Sequence, residues 1–173
     1  MEGPYASERE ALADRLARRE RIDDGSTIEA MKAVPRHEFV PDSRKSDAYA
    51  DRPLPIGDDQ TISAPHMVAI MADLLDVGAG DRVLEVGTGC GYHAAVTAEV
   101  VGAENVYSVE FGADLAERAR ETLEATGYGE VNVRRGDGRE GWPERAPYDA
   151  AYFTCAVPEI PDPLIEQVRP GGT

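Results

Sequence analysis

The chain reads as an α/β protein, a doubly wound and mostly parallel sheet flanked by helices. Three observations carry that reading. Short apolar runs end in turn residues at 82–86, 105–110, 131–135 and 148–153. Stretches of helical period separate or follow them, near 92–101, 113–126 and 161–168. The first apolar run passes directly into a glycine-rich turn and a helix, Arg82-Val83-Leu84-Glu85-Val86-Gly87-Thr88-Gly89-Cys90-Gly91-Tyr92. That strand–turn–helix corner makes the sheet Rossmann-like.

The elements follow in chain order. Residues 7–22 place Leu12, Ala13 and Leu16 on one helical face and charges on the other, and Asp23-Asp24-Gly25 stops that helix. Ser26-Thr27-Ile28-Glu29 is a capping-box pattern that opens a second short helix through Val34. Pro35 and Pro41 then force irregular chain. Tyr49–Ala64 reads as a long loop with Pro53, Pro55, Gly57 and paired aspartates; loops of that length are functional or mobile. Pro65 suits the first turn of a helix, whose apolar stripe is Met67, Val68, Ile70, Met71, Leu74 and Leu75, with both methionines in the core. Gly78-Ala79-Gly80-Asp81 turns the chain into the first strand of the sheet. Within one domain, residues 1–64 form a helical segment and active-site loop, and 65–173 form the cofactor-binding core.

Only four clear strands are present, and the chain stops at Arg169-Pro170-Gly171-Gly172-Thr173, a pattern that normally introduces another. The run Tyr148–Phe153 is apolar enough for an interior strand, with nothing in the sequence to cover its far side. The expectation is a fold with its C-terminal strands missing, a fragment with an apolar edge open to pairing.

Composition limits the partners. The 173 residues carry a net charge of −15, with Lys32 and Lys45 the only lysines. A basic footprint for nucleic acid is absent. The plain meaning of the charge is solubility; the sharper one is a salt-loving host, where a Debye length of ~3 Å at molar salt screens the self-repulsion. No apolar run approaches the ~20 residues of a membrane span, and the first residues have no signal-peptide core. Cys90 and Cys155 have no metal-ligand spacing, so no metal is expected, and the compartment reads as a reducing cytoplasm. Cys90 reads as a small turn residue rather than a nucleophile.

The turn carries the chemistry. Gly87, Gly89 and Gly91 let a ligand approach the backbone closely. Their spacing is G-x-G-x-G, whereas a dinucleotide fingerprint is G-x-G-x-x-G. Glu85 would repel a pyrophosphate but could help hold a cationic amino group. Both features point to S-adenosylmethionine, which has an ammonium, a sulfonium and no phosphate, and away from a nicotinamide dinucleotide. Glu110, closing the next strand, can accept hydrogen bonds from ribose hydroxyls in either case. A strand–turn–helix corner without a ligand is the bland alternative.

Several blocks then resemble one family, the protein-L-isoaspartate O-methyltransferases. They are 34–41 (Val-Pro-Arg-His-Glu-Phe-Val-Pro), 49–57 (Tyr-Ala-Asp-Arg-Pro-Leu-Pro-Ile-Gly), 60–67 (Gln-Thr-Ile-Ser-Ala-Pro-His-Met), 84–92, 136–138 (Gly-Asp-Gly), 147–149 (Pro-Tyr-Asp) and 157–161 (Val-Pro-Glu-Ile-Pro). The resemblance spans about residues 31–172, and block 60–67 is its most specific part. It implies methyl transfer from S-adenosylmethionine to the free α-carboxyl of L-isoaspartyl residues in damaged proteins and peptides, with S-adenosylhomocysteine as product. It also implies a monomer if the chain is full length. A carboxylate is already ionised at neutral pH, so no strong base is needed.

By this resemblance Ser63 sits beside the reacting carboxylate, although its spacing alone favours an N-cap for the next helix. Thr61 and Ile62 approach the cofactor through their backbone. His66 is a site-wall or cofactor contact, or else a satisfied histidine. Glu85, Gly87, Thr88 and Gly89 line the methionine portion. Glu110, with Phe111 next to it, binds the ribose. Asp137 takes the adenine amino group, and Gly138 allows close approach. Asp59 stands where the family has glycine, which would stiffen or recharge the loop, and the family continues beyond the Pro-Gly-Gly. The competing functions are a small-molecule methyltransferase and a truncated, inactive cofactor-binding domain, with a nicotinamide-dependent oxidoreductase last.

Overall fold

A computed structural model describes residues 5–19, 22 and 25–173. Helix α1 spans Ala6–Arg19 and buries Leu12, Ala13 and Leu16, the face its periodicity marks. The stop assigned to Asp23-Asp24 lies outside the described residues; Gly25, the third member of that signal, is instead the first residue of α2 (Gly25–Ala33). The helix thus begins one residue before the serine of the capping-box pattern. Pro35 and Pro41 each precede a short 3₁₀ turn, Arg36–Phe39 and Asp42–Asp47.

The segment read as a loop contains a hairpin. Strand β1 (Leu54–Gly57) pairs antiparallel with β2 (Gln60–Ile62). Leu54, Ile56 and Ile62 are buried, so a short alternation anchors the hairpin that the prolines conceal in the sequence. Its turn places Asp58 and Asp59 at φ +52° and +55°. Aspartate tolerates this left-handed region better than most residues. Asp59 thus occupies a backbone conformation that a glycine would adopt freely.

Helix α3 (Pro65–Leu74) starts at its proline and buries Val68, Ala69 and Ala72. Its inward arc therefore lies to one side of the two methionines, with Met71 nearer to it than Met67. Met67 is exposed, Leu74 is exposed, and only Met71 packs partly against the core. The placement of Met67 in the core is corrected accordingly.

Strand β3 (Val83–Val86), helix α4 (Tyr92–Val101), strand β4 (Val106–Glu110), helix α5 (Ala113–Ala125), strands β5 (Asn132–Arg135) and β6 (Ala150–Phe153), and helix α6 (Asp162–Gln167) complete the chain. The sheet order is β5-β4-β3-β6, every pair parallel. Residues of β3 and β4 are buried throughout, as central parallel strands require. Alternation splits the side chains between two cores. Val83 joins the larger cluster with α1–α5, while Leu84 and Val86 join Tyr107, Val109, Tyr148 and Leu164 on the opposite face. Helices α4 and α5 cover one face and α6 the other, which is double winding. The order reverses at β3, so β3 and β6 bound a crevice at their carboxyl ends, where such sheets bind ligands.

The far side of β6 is not bare. Residues 167–173 run along it: Tyr148 N–H donates to Gln167 O (2.8 Å), Arg169 N–H to Tyr148 O (2.9 Å), Thr173 N–H to Asp149 O (3.1 Å) and Ala151 N–H to Thr173 O (2.9 Å). The Pro-Gly-Gly turn folds back onto the strand beside it, so the expected open edge is partly paired.

Candidate active site

A cleft of about 890 Å³ opens at the carboxyl ends of β3–β6. The glycine turn forms one side. Gly87 has φ +101°, and a Cβ there would stand 2.4 Å from Thr154 Oγ1. Its N–H donates to Val109 O (2.9 Å), while the Thr154 hydroxyl bonds back to Gly87 O. The turn is thereby locked to the ends of both neighbouring strands. Gly138 closes the opposite wall, where a Cβ would meet Val86 Cγ1 at 2.3 Å. Gly138→Ala should therefore destabilise the fold by about 1–3 kcal/mol, the usual range for overpacking, and weaken ligand binding in the cleft. Urea denaturation and titration with S-adenosylhomocysteine check both.

Glu110 reaches the cleft from the end of β4. Its Oε2 accepts from Gly89 N–H and its Oε1 from Gly112 N–H, both at 2.9 Å. Each carboxylate oxygen keeps acceptor capacity for a second donor, so the pair of oxygens matches a vicinal diol. Phe111 beside it is an exposed aromatic at the cleft wall.

Ten of the twelve residues singled out from sequence line this cleft: Thr61, Ile62, Ser63, Gly87, Thr88, Gly89, Glu110, Phe111, Asp137 and Gly138. Two do not. Glu85 points away from the cleft, because alternation along β3 turns it toward the α4 face. It is 0% exposed, and Ser108 Oγ and Tyr152 OH donate to its carboxyl. The three are register neighbours across β4, β3 and β6. Burial pushes the Glu85 carboxyl up to about 8. The direct contact with a cationic ligand is corrected to a place under the turn, linked to it where Ser108 Oγ meets Thr88 Oγ1 at 2.6 Å.

His66 also turns away from the cleft. Its backbone N–H (3.0 Å) and its ring Nδ1 (2.9 Å) both meet Asp51 Oδ1. Asp51 thus serves the first turn of α3 from a distant part of the chain, and His66 is the satisfied histidine of the two readings. Ser63 is not the helix cap either: the N-cap is Ala64, with no side-chain bond. The Ser63 carbonyl accepts from Arg36 Nη2 at 2.8 Å, and its side chain stays at the cleft wall.

Asp137 lines the cleft with its carboxylate engaged. Arg139 donates to it through its backbone N–H and its guanidinium, which hold the carboxyl down at about 2. Cys90 lines the cleft as a thiol, since burial pushes it up to about 11.

Sequence reasoning missed the wall after β6, where Thr154, Cys155, Val157, Pro158 and Glu159 face the cleft. The sheet order would have found it, because the far strand of the reversal must contribute its carboxyl end. Tyr92, the last residue of the glycine motif, and His93 after it also line the cleft, a role not assigned to either from the sequence.

The wall carries Asp58, Glu110, Asp114, Asp137 and Glu159 against one guanidinium, Arg139, already paired with Asp137. This set suits a cationic nucleoside ligand and disfavours a pyrophosphate. A Rossmann-like sheet with an acidic cleft at its strand reversal, a G-x-G-x-G turn and a carboxylate whose free acceptor capacity matches a diol defines the class of S-adenosylmethionine-dependent methyltransferases.

Comparison with known proteins narrows the class. The sequence profile described as Protein-L-isoaspartate(D-aspartate) O-methyltransferase (PCMT) matches residues 7–173. The chain belongs to this family. It is 59% identical over 169 residues to Protein-L-isoaspartate O-methyltransferase 2 of Archaeoglobus fulgidus, covering 97% of this chain and 77% of that protein. It is 50% identical over 166 residues to the Protein-L-isoaspartate O-methyltransferase of Methanothermobacter thermautotrophicus, covering 95% and 76%. A solved protein-L-isoaspartate O-methyltransferase superposes with a TM-score of 0.85 at 34% identity, covering 95% of this chain and 53% of that one. A Plasmodium falciparum structure described as a putative member, in complex with S-adenosyl-L-homocysteine, gives 0.80 at 25% identity, covering 95% and 81%.

Proposed function

We propose that the chain transfers a methyl group from S-adenosylmethionine to the free α-carboxyl of L-isoaspartyl residues in damaged proteins and peptides, giving the methyl ester and S-adenosylhomocysteine. The observation that carries this reading is the position of Ser63. It lies at the wall of an acidic cleft, within block 60–67, and its hydroxyl is not spent on the helix cap.

When bound, S-adenosylmethionine supplies an electrophilic methyl on a sulfonium that is already a good leaving group. The chain's own work is alignment and exclusion of water. Glu110 receives the ribose hydroxyls with the acceptor capacity that Gly89 and Gly112 leave. Phe111 and Gly138 flank the adenine. Asp137 takes the adenine amino group once Arg139 yields, at small cost because exposed ion pairs contribute ~0–1 kcal/mol. Thr61 and Ile62 line the cleft ahead of Ser63, and Thr88 and Gly89 lie against the methionine end. Ser63 donates its O–H to one oxygen of the acceptor and aims the other at the methyl. No base is required, and neither Cys90 nor Ser63 acts as a covalent nucleophile.

The unpaired cysteines Cys90 and Cys155 support a reducing compartment, and we assign the chain to the cytoplasm. The charge of −15 with two lysines supports a salt-rich one and argues against nucleic acid as a substrate. Among the described residues no helix is long and apolar enough to cross a membrane.

The test is label transfer from methyl-labelled S-adenosylmethionine to an isoaspartyl peptide beside its aspartyl twin, in concentrated salt. Label on the isoaspartyl peptide alone supports the reading; equal label, or none, sinks it. Ser63→Ala should lower kcat/KM for the isoaspartyl peptide about 10- to 100-fold, the worth of one hydrogen bond to a charged group. Its affinity for S-adenosylhomocysteine should stay as in the wild type. An unchanged kcat/KM would remove Ser63 from the mechanism.

A further inference from the structure

Arg36 stands behind the cleft wall with, among the described residues, no carboxylate paired to it. It is 0% exposed. Its Nε donates to the Ala48 carbonyl and its Nη2 to the Ser63 carbonyl, both at 2.8 Å. The guanidinium carbon lies 4.8 Å from the centre of the Tyr92 ring. Ser63 and Tyr92 are both cleft-wall residues. Among the described residues, Nη1 has no hydrogen-bond partner and no carboxylate forms an ion pair with this side chain. A guanidinium keeps its charge even when buried. Burying one unpaired is costly, and an apolar side chain of similar bulk is often neutral or better for stability. Fold stability alone therefore gives little reason for a cation at this position.

The cleft itself poses a complementary problem. Its acidic wall suits a cationic methyl donor but repels an anionic acceptor, and its one guanidinium is tied to Asp137. Something must favour the carboxylate at Ser63. We infer that Arg36 is a positioning residue that fixes Ser63 and supplies, from behind it, the positive potential that receives the acceptor's carboxylate. This rests on the isoaspartyl reading above. Attraction over a few ångströms at an effective dielectric near 20 corresponds to roughly a tenfold to hundredfold preference for a charged acceptor over a neutral one.

The experiment compares two peptides. One carries the isoaspartyl α-carboxylate; the other is identical but has that group as a carboxamide, and its inhibition constant is measured against methylation of the first. The wild type should bind the carboxylate at least about tenfold better. Arg36→Met, which keeps bulk and removes charge, should erase most of that ratio. Arg36→Lys, which keeps charge and loses the two-carbonyl fork, should retain the ratio but lower kcat. Affinity for S-adenosylhomocysteine should be unchanged in both. A purely structural role would weaken both peptides equally, so a preserved ratio in Arg36→Met overturns the inference. Should that variant not fold, the wild-type ratio still decides, since equal binding of the two peptides overturns it as well. Wild-type labelling of the isoaspartyl peptide is the control. If it is absent, the substrate reading fails and takes this inference with it; if it is present and the ratio is unmoved, only the role of Arg36 falls.

Discussion

Glu110→Ala is expected to weaken binding of S-adenosylhomocysteine by about 100- to 10,000-fold. Two ribose hydroxyls would lose a charged acceptor, and each such bond contributes about 1.5–3 kcal/mol. The change also strips the acceptor from Gly89 N–H and Gly112 N–H. Both donors face an open cleft where water can replace the carboxylate, so the cost to folding should be smaller, about 1–2 kcal/mol. Glu110→Gln should fall between, because the amide keeps one acceptor oxygen but sets an NH₂ group against a backbone N–H. Calorimetric titration separates the binding loss from the stability loss. Wild-type affinity in Glu110→Ala would mean that the diol is held elsewhere.

The second large effect concerns pH. Burial keeps the Glu85 carboxyl protonated to about pH 8, against 4.5 for an ordinary glutamate. Between those values the unfolded chain has released a proton that the folded chain retains. Stability therefore falls as pH rises through that window, by about 1.4 kcal/mol per unit and about 5 kcal/mol in all. Glu85→Gln has no proton to release and still offers hydrogen-bonding atoms to Ser108 and Tyr152. The stability of the variant relative to the wild type should climb steadily from pH 5 to 8. Urea midpoints across that range test it, and parallel curves would show that Glu85 does not titrate as a buried acid.

Much of this was legible in the sequence, and what was not had identifiable causes. The strand before Gly87 and the acid that ends the next strand follow from short-range pattern, so Gly87, Gly89 and Glu110 were placed at the cleft from residues alone. Period two along β3 should also have sent Glu85 to the opposite side from Val86, but the attraction of a carboxylate near a cationic cofactor outweighed the alternation. The hairpin at 54–62 was hidden by Pro53, Pro55 and two aspartates, residues that weaken strand propensity while the buried Leu54, Ile56 and Ile62 decide the matter. His66, Asp51 and Arg36 depend on contacts 15 and 27 positions apart. Local spacing carries no information at that range; the N-cap that spacing alone favours for Ser63 falls one residue later, at Ala64. The wall after β6 was missed because it belongs to the site through strand order and not through any motif of its own.

Strand order also governs when the site comes into being. Pairing of β3 with β4 and of β4 with β5 closes short crossovers, whereas β6 must return to β3 across the whole of the intervening chain; Glu85 and Tyr152 are 67 positions apart. Larger loops cost more entropy to close and slow the step that closes them. The glycine turn can be native while its counterpart at Thr154 is still absent. The cleft, the lock on Gly87 and the bond from Tyr152 to the buried carboxyl all depend on the pairing of β6 with β3. An occupant that bridges the two strand ends stabilises that pairing.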